Sequence, residues 1–323
     1  MPLIKTTEEL KENVPINGSF TYDNVLPYVN EVERDFIIPV ISRPQYIVLH
    51  AAYNAGTATA KQLELLSLLQ IAISNFAFML YIPTGQIQIS DSGIHIISNE
   101  TKKTAFEWQI RGAQRRFLNA GFAAIEPVYE FLEENKAEFP VWVASSAFSF
   151  FKESFINTAK DFTLYVDKMN NSRRMFMAVK SSIRRVEEFV IKNTIGIPLY
   201  TVLKAQILVG TISEDNKILL GYIKPAVAHL AFAQSIIDMA LTIDEYGISV
   251  YNTNATLSVD AIGPASSELL NNLLVSNNAA GEGYLDQLRR FLLANAATYP
   301  LFPLPPAGSS AQVINTDRPI YIL

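Results

Sequence analysis

LPYVNEVERDFIIPVISRPQYIVL, residues 26–49, returns in altered form as KSSIRRVEEFVIKNTIGIPLYTVL, residues 180–203. Tyr46 matches Tyr200, an offset of 200 − 46 = 154. The same offset pairs Val32 with Val186, Glu33 with Glu187, Ile37 with Ile191, Pro44 with Pro198 and Leu49 with Leu203 without a gap. It still holds at Ala77-Phe78 against Ala231-Phe232 and at Gly93 against Gly247. The chain therefore reads as a tandem duplication. Upstream, LIKTTEEL at 3–10 resembles FINTAKDF at 155–162, now offset by 152. Downstream, Phe139-Pro140 meets Tyr299-Pro300 at an offset of 300 − 140 = 160, so the second copy has gained six residues. The glycine-rich stretch NNAAGEG, 277–283, is the expected site of most of that gain, as a loop breaking the last helix.

A chain of 323 residues accommodates two domains of about 150. The boundary is expected near 145–152, giving 1–150, 151–306 and an extended C-terminal arm over 307–323. Apolar residues make up 49% of the chain and charged residues 18%, with a mean hydropathy of +0.17. Apolar side chains left over after core formation point to partner contacts. The net charge of −5 gives no basic face for phosphate-driven nucleic-acid binding. Arg111 with Arg115 and Arg116, Arg173 with Arg174, and Arg184 with Arg185 read as solvated helix faces. No cysteine is present, which excludes disulfides and thiolate metal sites. The opening residues show neither a basic nor an apolar signal region. The most apolar long stretch, Ile218–Ile243, is interrupted by Lys224, Pro225, His229 and Asp238, against a membrane span.

Periodicity supplies the elements. Thr6 with Glu9, and Thr158 with Asp161, predict capped short helices. Val25, Val29, Val32 and Phe36 share one helical face, as do Val179, Ile183, Val186 and Val190. Pro39 is expected to end the first of these helices; Asn193 and Gly196 are expected to end the second. A third helix is predicted over about 61–80 in one copy and 216–240 in the other, with a kink or break at Pro225. Alternating stretches at 86–98 and 240–252 predict hairpins turning at Asp91-Ser92-Gly93 and Glu245-Tyr246-Gly247, with positive φ at both glycines. A long helix over about 103–135, bent or broken at Pro127, closes the first copy. The fold class read from this is mainly α with small β-hairpins, an α+β tandem duplication of a helical domain.

Chemistry is hard to find. His50, His95 and His229 have no counterparts across the repeat and no metal-ligand spacing. Phosphate-binding glycine loops and a GxSxG elbow are absent from the sequence. Glu33 and Glu187 read as isolated helix acids suited to ion pairs, and Glu133-Glu134 as a solvated helix end. No catalytic, metal or cofactor residue is assigned, and the expectation is a protein that is not an enzyme. Tyr46/Tyr200 and Phe78/Phe232 read as core.

The ΦIxTxEEL opening, the VxEVExxFIxPxIxxxxY helix and the D-S-G hairpin resemble an uncharacterised structural-protein family of Bacteroidota phages and prophages. More remotely they resemble the small helical connectors of tailed phages. The resemblance implies a virion protein, a head-to-tail adaptor or other neck or tail ring component. It would be made in the bacterial cytoplasm and bind copies of itself and neighbours such as portal or tail proteins. It would make no specific nucleic-acid contact and no membrane contact. The expected contact residues are the two hairpin turns and the strand-like tip Ile320, Tyr321, Ile322 and Leu323. The alternative is a non-catalytic helical module for a small ligand.

Overall fold

The computed structural model describes residues 2–16, 20–85, 87–90, 93–96, 105–244, 247–250 and 267–304. The first half comprises α1 (Thr7–Asn13), α2 (Leu26–Val32), a π-helical turn Glu33–Ile37, α3 (Ile38–Ile41), α4 (Arg43–Ala55), α5 (Ala60–Tyr81), strands β1 (Ile87–Ser90) and β2 (Gly93–Ile96), α6 (Glu107–Glu134), α7 (Pro140–Val143) and α8 (Ser146–Phe151). The second comprises α9 (Ala159–Thr163), α10 (Arg173–Val186), a π-helical turn Glu187–Ile191, α11 (Lys192–Ile195), α12 (Ile197–Val209), α13 (Glu214–Ala240), β3 (Leu241–Asp244), β4 (Gly247–Val250) and α14 (Ser267–Ala294).

The class is all-α, a correction of the α+β expectation. Each hairpin is a ladder of four residue pairs, Ile87↔Ile96 to Ser90↔Gly93 and Leu241↔Val250 to Asp244↔Gly247, and among the described residues neither pairs with a further strand. A two-stranded ribbon that short has little face to bury and does not set the architecture. Among the described residues, both cores are built from helices and the segments joining them. One core runs from Leu3 to Phe151 and the other from Phe155 to Tyr299, so the changeover falls between Phe151 and Phe155.

The duplication is visible element by element. The π-turns, α3/α11, α4/α12, β1/β3 and β2/β4 are of equal length and offset by 154. α6 and α14 both have 28 residues and start 267 − 107 = 160 apart. The six-residue gain therefore lies between hairpin and last helix, where residues 97–106 correspond to 251–266. It does not lie in NNAAGEG, which is uninterrupted helix within α14. The glycines there serve packing. A Cβ on Gly121 would stand 2.7 Å from the Phe76 ring, and one on Gly281 2.5 Å from Leu230 Cγ. These are equivalent sites (281 − 121 = 160; 230 − 76 = 154), at which only a hydrogen lets the last helix meet α5 or α13.

Pro39 does not end its helix, and no break falls at Pro127 or Pro225. Helix continues past Pro39 to Ile41, through Pro127 in α6 and through Pro225 in α13. The first long helix ends at Ser42 (φ 70°, ψ 152°) and its counterpart at Gly196 (φ 84°, ψ 149°). Only the latter residue is suited to that region. Gly56 and Gly210, again offset by 154, close α4 and α12 in the left-handed region. Ser42 Oγ does accept Gln45 N–H at 3.4 Å, a weak cap. Ser42→Gly is expected to stabilise the protein by about 1 kcal/mol, strain relief exceeding the entropy given to the unfolded chain. Gly196→Ala is expected to destabilise it by about 1–3 kcal/mol, since its Cβ would also sit 2.6 Å from Pro303 Cδ. Urea titration of both variants measures the contrast.

α5 is long and apolar enough to cross a membrane, which the sequence reading had considered only for Ile218–Ile243. Ten of its residues between Leu65 and Phe78 are buried, eight of them in the first core, as in a central helix of a helical domain.

Candidate functional site

Glu33 and Glu187 each occupy the first position of a π-turn, whose carbonyl accepts from five residues on, Ile38 and Lys192. Such turns widen a helix locally and recur at functional positions. Both carboxylates are buried, at 4% and 2% exposure. Each takes hold of the segment that opens its own half. Glu33 Oε1 accepts Leu3 N–H at 2.5 Å, and Glu187 Oε1 accepts Phe155 N–H at 2.6 Å. The second oxygens differ. Glu33 Oε2 accepts the Tyr46 hydroxyl at 2.6 Å; Glu187 Oε2 accepts Lys204 Nζ, which also donates to the Glu153 carbonyl. Lys204 stands where the first half has His50. Tyr200, freed of that task, donates to Glu188 at 3.2 Å.

Burial raises both carboxyls above the ordinary range, opposed at Glu33 by Tyr46 and Leu3 and at Glu187 by Lys204. Burial, then the carboxylate beside it, raises the Tyr46 phenol. A raised carboxyl is a common mark of acid–base sites. Here each oxygen already has a protein donor, and the arrangement's product is a fixed chain segment. Around it, Thr6 Oγ caps Glu9 N–H at 3.2 Å, Glu9 accepts Lys5 N–H at 2.6 Å, and Tyr53 donates to Glu9.

The linkage has a definite sign. With its folded pKa raised, Glu33 favours the native state below the unfolded carboxyl pKa. That contribution is lost as pH climbs through the raised folded value. Glu33→Gln keeps an acceptor for Leu3 N–H and removes the charge. Its stability relative to the parent is expected to improve as pH rises from about 4 to 7. Chemical denaturation at stepped pH measures this, and an unchanging difference would show that the carboxylate is not desolvated.

A second cluster joins the halves. Arg173, 3% exposed, lies 3.5 Å from Glu126 of α6 and 4.6 Å over the Tyr129 ring. Glu126 Oε1 also accepts Ala159 N–H at 2.9 Å, holding the start of α9. Lys180, buried beside it, donates to the Phe150 carbonyl at 2.7 Å, and burial lowers it to about 8. The solvated-face reading therefore fails for Arg173. Arg184 and Arg185 are exposed and reach Glu153 at 2.9 Å and Asp238 at 3.6 Å. Glu133 is no free helix end either, since it pairs with Lys136 and Lys152.

Of the expected contact residues, Gly93 and Gly247 open the second strand of each hairpin, opposite Ser90 and Asp244. Asp91, Ser92, Glu245, Tyr246 and Ile320 to Leu323 lie outside the described residues, as do the turn dihedrals. His50 stacks on Tyr46, His229 Nδ1–H donates to Asn277 Oδ1 at 3.0 Å, and His95 pairs in register with Gln88. The structure does not bring the three together at one place in the repeat. Among the described residues there is no cluster of three metal-ligating side chains.

The chain belongs to a family of unknown function, DUF6712, whose model matches residues 37–151 and 191–312. The two matched segments begin 191 − 37 = 154 residues apart, the offset of the repeat itself. No curated protein and no solved structure matches the chain.

Proposed function

We propose that this is a virion structural protein, a head-to-tail adaptor or other neck or tail ring component, working through protein–protein contacts. The observation that carries the reading is the contrast between inside and outside across the repeat. The buried Glu33/Glu187 position is retained and spent on the fold, whereas several exposed apolar positions differ. Phe189, 71% exposed, stands where the first half has Asp35, and exposed Leu293 stands where it has Glu133. Ile197 and Val209 add apolar surface on α12, and Phe106 and Trp108 at the start of α6. Large exposed apolar groups mark interaction surfaces. A head-to-tail ring needs two unlike faces on each subunit, which divergence between repeats supplies. The protein would act in the virion, with copies of itself and portal or tail proteins as neighbours.

Native mass spectrometry with negative-stain imaging at micromolar concentration tests this. The expected result is a closed ring of fixed copy number, alone or on a neighbouring virion protein. A strict monomer that also binds no virion protein contradicts it.

A further inference from the structure

In the first half, a slot between α3, α6 and α7 is filled by α8. Phe148 packs edge-on against Trp142 with centroids 4.9 Å apart, and Phe151 stacks on Tyr129 at 4.4 Å. The Trp142 indole donates to the Val40 carbonyl at 3.1 Å, and Lys152, just past α8, pairs with Glu133. Through the repeat offsets, Val40, Tyr129, Glu133 and Trp142 become Thr194, Arg289, Leu293 and Phe302. Those four residues, with Phe189 and Pro303, line one groove whose cavity volume is about 490 Å³. The repeat thus reproduces the slot. The sequence does not repeat the filler's aromatic residues, because Phe148 and Phe151 correspond to Gly308 and Ala311, which lie outside the described residues.

We propose that the second-half groove is a docking site for a partner protein's short helix bearing two aromatic residues three positions apart. The occupant's chemistry is read from the first half, where α8 shows what this wall accepts. One aromatic ring packs against Phe302 as Phe148 does against Trp142. The other lies over the Arg289 guanidinium, in place of the Phe151–Tyr129 stack, as a cation–π contact. Helix-in-groove recognition with aromatic anchors is an established mode of peptide binding. Arg289 is held for that role by Asp286 at 3.0 Å. The inference does not depend on the virion reading, since it concerns one groove and its ligand.

The probe is a labelled peptide with the sequence of residues 144–153, which carries Phe148 and Phe151, with Phe150 between them, and Lys152. Its binding to the full chain is followed by fluorescence anisotropy. Saturable binding is expected, lost when Phe148 and Phe151 of the peptide are changed to alanine and Phe150 is kept. Leu293 is half exposed, so its substitution leaves the fold intact. Leu293→Arg should weaken the peptide at least about tenfold by opposing its lysine. Leu293→Glu, restoring the first half's acid, should tighten it about threefold to fivefold, a gain cancelled by changing that lysine to alanine. Absence of binding, or binding indifferent to Leu293→Arg, overturns the proposal. A parent chain that binds only after Ile320, Tyr321, Ile322 and Leu323 are all changed to serine also overturns it, because the chain's own tail would then be the occupant.

Discussion

Glu187→Ala is expected to cost about 3–5 kcal/mol of stability, the largest loss from any single polar side chain in the protein. The carboxylate is 2% exposed and bridges a backbone N–H and a lysine, so its removal strands two donors at once. Lys204 suffers most, for it keeps its charge in a half-buried place beside the Phe155 and Tyr200 rings. Glu187→Gln is expected to fall between, keeping an acceptor for Phe155 N–H while leaving the ammonium unpaired. Glu33→Ala should cost less, about 1–3 kcal/mol, because its two donors are neutral. Urea titrations of the three variants give the order directly. An Ala variant of Glu187 as stable as the parent would mean that Phe155 and Lys204 are served by water.

Trp142→Ala is expected to cost a similar 3–5 kcal/mol. Its side chain is fully buried, packs on Phe148 and Phe151, and satisfies the Val40 carbonyl. Truncation leaves a cavity walled by rings that α8 cannot close. Phe302 is the same position one repeat later, only half buried on the rim of the open groove. Phe302→Ala should therefore cost about 1 kcal/mol or less. Equal losses at the two positions would contradict the difference in filling between the halves.

The repeat was legible because apolar positions kept in both copies preserve spacing, and spacing fixes helix faces. The capped short helices at Thr6 and Thr158 were legible for similar local reasons. Three features were not. Glu33 and Glu187 look like ordinary helix acids, since a π-turn has no residue signature and their partners, Leu3 and Phe155, contribute only backbone. Their joint retention was the available signal. Gly281 and Gly283 read as a turn because helix-breaking and close-packing glycines are spelled alike; aligning Gly121 with Gly281 at the offset of 160 would have separated them. Pro39, Pro127 and Pro225 look like helix ends or breaks, but a helix in a folded domain tolerates one lost hydrogen bond. The hairpins were given too much weight in the class, because alternation over four residues makes a ribbon and does not make a sheet. The groove needed both halves side by side. Only the pairing of Phe148 with Gly308 and of Phe151 with Ala311 exposes it.

A duplicated latch, a buried glutamate in a π-turn, grips the backbone that opens each half. Residue-resolved amide hydrogen exchange tests it most directly, since Leu3 and Phe155 lie outside every helix and strand. Both amides are predicted to be strongly protected, Leu3 losing protection in Glu33→Ala and Phe155 in Glu187→Ala. Exchange of either amide at the rate of an unstructured peptide in the parent protein would contradict it.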